Sequence, residues 1–238
     1  MGIPIRNPNN DGVVGRWIAL AAISLAAMAV CGWVAGTSLG LFFGGLFAVT
    51  FLVPVGILAH SNLRHLIAGF AAVVAPVAIA WLMPALKGTD TCAQCALASL
   101  TLAAYALAVG GISLVLSRLG LPAVFAAAVA IGIGIAWLTW PIWLSIPLVK
   151  NGWSGIVQDL VAVHPPLVIN GILTNEPAWT ERSLAYHLTN LNQDVPIQLP
   201  SGAGPCIALH GIVGMALASA AMVPRRKAPE AREQAPAF

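Results

Sequence analysis

Charge is what this sequence has least of. Of its 238 residues only 11 are Lys or Arg and 8 are Asp or Glu, 8% in all, against 59% hydrophobic residues and a mean hydropathy of +0.88. An ordinary soluble domain is about 25% charged, so the composition calls for a bilayer as the solvent. The net charge of +3 is small and dispersed, which excludes a phosphate footprint and with it a nucleic-acid partner. The same composition excludes a secreted disulfide scaffold or a disordered chain. No P-loop, no G-x-S-x-G and no H-E-x-x-H occurs, so no ATPase, serine hydrolase or zinc protease site is visible. No internal repeat is found either.

What is present is a series of long apolar stretches. Five run from Trp17 to Gly36, Ser38 to Ala59, Leu66 to Leu86, Ala96 to Ser117 and Leu121 to Trp140, and a sixth from Pro205 to Val223. Each is near the roughly 20 residues that a helix needs to cross a bilayer. None alternates as a barrel strand does, and Ala, Leu and Gly dominate, so the expectation is an all-α polytopic membrane bundle of six helices packed through small residues. Arg6 and Arg16 before the first run also fit a signal peptide, but Val30 before Cys31 makes a poor lipoprotein box, and the run is read as a retained helix.

Positive charge sets the orientation. With the N-terminus inside, Arg6, Arg16, Arg64, Arg118 and the cluster Arg225, Arg226, Lys227 and Arg232 are cytoplasmic, eight of the 11 basic residues, while Asp90, Asp159, Glu176, Glu181 and Asp194 lie outside. A seventh crossing through 153–173 would expel the Arg225 cluster. That stretch, which holds Asp159, His164, Pro165, Pro166 and Asn170, is read instead as an amphipathic segment in the outer interface or dipping into it, with Ile156, Val157, Leu160 and Val161 toward lipid or bundle. Trp33, Trp81, Trp137, Trp140, Trp143, Trp153 and Trp179 then fall at the outer headgroup level, and Pro141 is expected to kink or end the fifth helix.

The domain reading is a membrane bundle over 1–149, an extracytoplasmic loop over 150–204, a last span over 205–223 and a disordered basic tail over 224–238. The loop is the one long connection, and such segments carry function. A helix capped by Thr174 or Asn175 is expected there, with Trp179, Leu184, Leu188 and Leu191 on its apolar face. Its polar side, with Glu176, Thr180, Glu181, Ser183 and His187 and then Asp194, is either a solvated surface or a partner-binding stripe to which Trp179 adds an aromatic anchor. His164, His187 and His210 belong to the outer half and are a possible metal or haem ligand set, although their spacing is no metal motif; a capping or interhelical hydrogen-bond role accounts for them equally. His60 and His65 flank Arg64 and read as an inner-face anchor.

Cys92 and Cys95 form a C-x-x-C at the outer, N-terminal end of the fourth span, with Cys206 at the start of the last span and Cys31 in the first. A thiol at a helix N-terminus is acidified by unpaired N–H groups, which suits disulfide exchange. In this placement the pair resembles that of the membrane disulfide-generating enzymes of the DsbB and vitamin K epoxide reductase type, which implies quinone as the electron partner. Those families relay electrons through a second cysteine pair in an outer loop. Here the loop has no cysteine before Cys206, so Cys31 and Cys206 would have to serve as the second pair. A structural disulfide and free or metal-bound thiols stay open beside that reading.

The function expected is an integral subunit or anchor of an envelope complex in the bacterial inner membrane, possibly a transport or redox complex, recognising other membrane or extracytoplasmic subunits through 150–204. The alternatives are a quinone-linked thiol-disulfide oxidoreductase and, because the spans lack charged residues, a facilitator for a neutral or apolar substrate.

Overall fold

A computed structural model of the chain describes residues 8–35, 37–58, 63–88, 90–173 and 198–223. Among them every element is helical and none is a strand. In chain order these are α1 (Pro8–Ala35), α2 (Thr37–Phe47), α3 (Val53–Leu58), α4 (Leu63–Ala80), α5 (Leu82–Leu86), α6 (Cys92–Arg118) and α7 (Ala123–Leu138). Then follow α8 (Trp140–Trp143), α9 (Ser145–Lys150), α10 (Ser154–Val163), α11 (Pro165–Ile172) and α12 (Gly204–Met222). The expected outer helix with Glu176, Trp179, Thr180, Glu181, Ser183 and His187, then Asp194, the residue His60 and the basic tail all lie outside the described residues.

Five stretches are long and apolar enough to cross a membrane: Val14–Trp33, Gly40–Ile57, Ile67–Leu86, Cys92–Arg118 and Gly204–Met222. They coincide with five of the expected spans. The remaining one is shorter than expected. α7 has 16 residues, about 24 Å of helix, less than the roughly 30 Å hydrocarbon thickness. It stops because Thr139 Oγ1 donates back to the Ile135 carbonyl at 2.8 Å and Pro141 opens the next helical turn.

The stretch after it is a bent pair of helices, an amphipathic one with Ile156 and Asp159 exposed and then a buried one. α10 and α11 meet at 76°, and the pair is a broken span or a re-entrant loop. The break falls on His164, which takes an extended conformation (φ −87°, ψ 114°) because Pro165 disfavours a helical residue before it. Every residue from His164 to Asn170 is buried. Val157 and Val161 face inward with Leu160 partly buried beside them, while Ile156 is 47% exposed on the outer surface.

α6 is the hub on which α3, α7, α11 and α12 pack. Its crossing with α12 is made by two glycines: a Cβ on Gly214 would lie 2.6 Å from the Leu107 carbonyl carbon, and one on Gly111 3.1 Å from the Gly214 carbonyl oxygen. Where hydrocarbon surrounds the helices, such close approach replaces the hydrophobic effect as the source of association. α1 lies on the outside, packed on α2 and α4, and most of its side chains are exposed. A second device sits between α2 and α3, where residues Ala48–Leu52 form a π turn just before Pro54. The widened turn accommodates the missing N–H of the proline without a break in the rod.

Two of the tryptophans expected at the headgroup level are core residues instead. Trp81 and Trp140 are fully buried, and Trp137 packs partly buried against the core, whereas Trp33, Trp143 and Trp153 are exposed. Their large apolar area outweighs the polar N–H when the surrounding helices consist of small residues.

Gly214→Ala is expected to cost about 1–3 kcal/mol by overpacking, whereas Gly211→Ala, three residues earlier in open space, is expected to be neutral or stabilising by up to about 1 kcal/mol. Thermal unfolding of the two variants in detergent tests the crossing directly.

Candidate functional site: the His164–His210 cluster

Two buried histidines of the described residues, His164 and His210, lie where α7 ends, the α10–α11 hinge bends and α12 begins. Leu138, the last residue of α7, has a carbonyl that cannot be used within its helix. His164 Nε2 lies 3.1 Å from that oxygen. A carbonyl only accepts, so Nε2 carries the proton and Nδ1 bears the lone pair. Nδ1 is buried and makes no well-formed hydrogen bond among the described residues.

His210 sits one turn inside α12. Its Nδ1 donates to the Cys206 carbonyl at 2.9 Å, which by the same argument leaves Nε2 as the acceptor nitrogen. The Cys206 thiol donates to the Val163 carbonyl at 3.2 Å. The start of α12 is thereby tied to the residue before the hinge.

Aromatic rings join the two imidazoles. Trp137 has its ring centroid 6.1 Å from His164 and 6.0 Å from His210; Trp140 lies 5.7 Å from His164, and Tyr105 5.7 Å from His210. Tyr105 is held by its hydroxyl, which donates to the Gly134 carbonyl at 3.1 Å, and a Cβ on Gly134 would lie only 2.9 Å from that hydroxyl. The indole N–H groups of Trp137 and Trp140 are buried without a hydrogen-bond partner. An unsatisfied buried polar group costs about 1–3 kcal/mol, and this cluster holds two such donors and, in His164 Nδ1, one such acceptor.

Beside the cluster is a cavity of about 260 Å³, walled by Tyr105 and Val109 of α6, Gly134 and Trp137 of α7, and Leu209 and His210 of α12. No charged residue lines it.

Of the three expected metal-ligating histidines, His164 and His210 come together on either side of Trp137, and His187 lies outside the described residues. No group of three His, Cys, Asp or Glu able to hold a metal forms among the described residues. Tyr105, which completes the cluster, carries no signal in a single sequence, because it sits in an apolar stretch that reads as core, and Trp137 was expected at the headgroup level rather than between two histidines.

The cysteines are free. Cys92 is exposed in the first turn of α6, while Cys95, one turn on, is buried in the main core. Cys206 packs with Val168, Ile172 and Ala203, whereas Cys31, half-buried in α1, lies where the backbone of α1 meets Gly40 of α2. The possible second pair is therefore split between two packing environments. The residues between Cys92 and Cys95 have a structural task. The Thr91 hydroxyl accepts from the Gln94 amide at 3.2 Å, the Gln94 side-chain oxygen accepts from the Thr91 amide at 2.8 Å, and Gln94 Nε2 donates to the Ile172 carbonyl at 2.8 Å. The capping box thus starts α6 and fastens it to the end of α11.

No family model, curated protein or solved structure matches the chain.

In the folded protein Cys92 is expected to react with a small maleimide at least about tenfold faster than Cys95 or Cys206, because a buried thiol must wait for local opening. Mass mapping of the labelled cysteines before and after denaturation gives both rates.

Proposed function

We propose that the protein is a multi-pass subunit of an envelope complex that recognises its partner through the extracytoplasmic loop 150–204. The observation that carries this reading is the way the described residues on either side of its segment 174–197 are fixed. At its start, Gln94 holds the Ile172 carbonyl. At its end, Gln158 Nε2 donates to the Gln198 carbonyl at 2.9 Å, and the Gln198 amide returns a bond to Gln158 Oε1 at 3.2 Å. Gly171 lies against the Pro200 carbonyl, where no side chain fits. A segment pinned at both feet to a buried hairpin loses less conformational entropy on binding than a free loop does. The charge asymmetry of the sequence supports both termini in the cytoplasm and the segment outside, in a bacterial inner membrane.

Its recognition residues on this reading are Glu176, Trp179, Thr180, Glu181, Ser183, His187 and Asp194. Photo-crosslinkers placed in turn at Trp179, Thr180 and Ser183 in growing cells are expected to give a discrete protein adduct. Gln158→Ala, which removes one foot, should lower the yield about threefold or more at unchanged protein level, as loss of two hydrogen bonds of about 1 kcal/mol each allows. Adducts with lipid alone at all three positions would sink the reading.

The exposure of Cys92 at a helix start supports a second reading, a thiol-disulfide oxidoreductase with Cys92 and Cys95 as its pair and quinone as its electron partner. Quinone reduction that disappears in the Cys92→Ser, Cys95→Ser double variant, with the protein adducts retained, would favour it over the first.

A further inference from the structure

The first turn of α6 carries two features that neither reading joins, a pair of thiols and the tie that holds the end of α11. Cys92 is exposed at the first helical position, and the turn before it exposes Lys87, Gly88 and Thr91. A charged residue in that turn places it in water. Cys95 follows one helical turn later and is 2% exposed. Two residues three apart on a helix have their Cα atoms about 5 Å from each other, inside the roughly 4.4–6.8 Å that a disulfide spans. The two thiols are also within electrostatic reach of each other. The backbone therefore permits a bond between them, and what keeps them apart is the burial of Cys95.

That burial depends on α11. Cys95 shares its core cluster with Ile169 and Leu173, which flank Ile172 at the end of α11. Gln94, the residue before Cys95, holds this end: its Nε2 donates to the Ile172 carbonyl at 2.8 Å. Its Oε1 accepts from the Thr91 amide at 2.8 Å and from the Thr91 hydroxyl at 2.9 Å, which starts the helix. One side chain thus caps the turn that bears both thiols and fastens the element packed over the second.

We infer that Cys92 and Cys95 form a dithiol modification site for a soluble aliphatic disulfide, and that the bond from Gln94 to Ile172 gates its closure. The exposed Cys92 thiolate attacks the disulfide RSSR, giving a mixed disulfide on Cys92 and one RSH, which takes the proton that Cys92 gave up. Cys95 then attacks the Cys92 sulfur, forming the Cys92–Cys95 bond and releasing a second RSH with the proton of Cys95. The two thiols are oxidised and RSSR is reduced to two RSH. The second attack needs the Cys95 sulfur out from under α11, so it waits on the foot of the outer segment. The oxidation state of the pair then records whether that foot is held or released. Neither a quinone nor a partner on the segment is needed, so both readings above stand or fall separately.

The test uses the full chain in nanodiscs with hydroxyethyl disulfide, followed by mass mapping of every cysteine over time. In the unaltered chain Cys92 is expected to take the mixed disulfide first and to convert slowly to the Cys92–Cys95 bond. Gln94→Glu keeps the oxygen that caps the turn, since Glu serves in a capping box as Gln does, but loses the donor to Ile172. It should leave the first step within about twofold and speed the second about tenfold or more, as loss of a hydrogen bond from a folded site allows. Gln158→Ala, which frees the other foot, should leave both steps within about twofold. Cys95→Ser should abolish the second step. The buried Cys206 reports the folding of each variant and should stay slow in all of them. Conversion in Gln94→Glu no faster than in the unaltered chain would overturn the inference. So would an equal acceleration by Gln158→Ala or at Cys206, resolution of the mixed disulfide in Cys95→Ser, or closure in the unaltered chain as fast as the first attack.

Discussion

Gly214 has no side chain, and the 2.6 Å between the place its Cβ would take and the Leu107 carbonyl carbon is a space that α6 has closed. That contact sets how near α12 runs to α6, and much of the bundle around the start of α12 follows from it. At this separation the first turn of α12 delivers the Cys206 thiol to Val163 and the His210 ring to Tyr105. A larger residue would move the helix outward and break both, since packed cores shift in discrete steps rather than stretching. Gly111 plays the same part from the opposite side. In an apolar solvent that gives helices no reason to associate through hydrophobic area, small residues of this kind determine which helices are neighbours.

The second constraint is that hydrocarbon satisfies no hydrogen bonds. Most polar side chains in the bundle settle this locally or across one helix contact. Ser99 and Thr101 donate to carbonyls one turn back at 2.8 Å, and Ser113 reaches the Pro54 carbonyl at 3.3 Å. The cluster around Trp137 departs from that economy. There the His164 and His210 rings each spend one nitrogen on a backbone carbonyl, and two indole N–H groups stay unbonded. Ser24 and the Trp81 N–H, buried elsewhere in the bundle, are likewise without a partner among the described residues.

Much of the bundle was legible from the residues. Runs without charge located five helices, because leaving a Lys or Asp inside an apolar stretch is costly enough to be avoided. Pro141 announced the end of α7, since a proline cannot continue the backbone ladder. The hairpin was harder to read. Asp159, Pro165 and Asn170 suggested an amphipathic segment in the interface or dipping into it; α10 keeps Ile156 and Asp159 exposed, while Val168 and Ile169 carry α11 into the interior, with His164 as the corner. Trp81 and Trp140 misled for a related reason: the indole suits an interface and a core alike, and only the surrounding helices decide. The joining of His164 to His210 through Trp137 depends on the bend and on the α6–α12 crossing together, and neither leaves a motif. The C-x-x-C was visible at once, yet Gln94 within it, which ties α6 to α11, has no signature beyond a capping pattern.

The π turn at Ala48–Leu52 has a consequence for the phase of the second membrane rod. A π turn amounts to one residue more than an α-helix needs, so α2 and α3 form one continuous path while their faces are offset by about 100°, the angle of a single residue. Phe42 and Leu46 before the turn, and Val53 and Ile57 after it, are all buried. Loss of one residue anywhere in the turn would leave the rod as apolar as before and nearly as long. Because the turn itself holds the surplus, the faces on either side would keep their places, with Pro54 toward Ser113 and Ile57 against Gly110. The turn is thus the place where this helix can gain or lose a residue without moving the faces that pack.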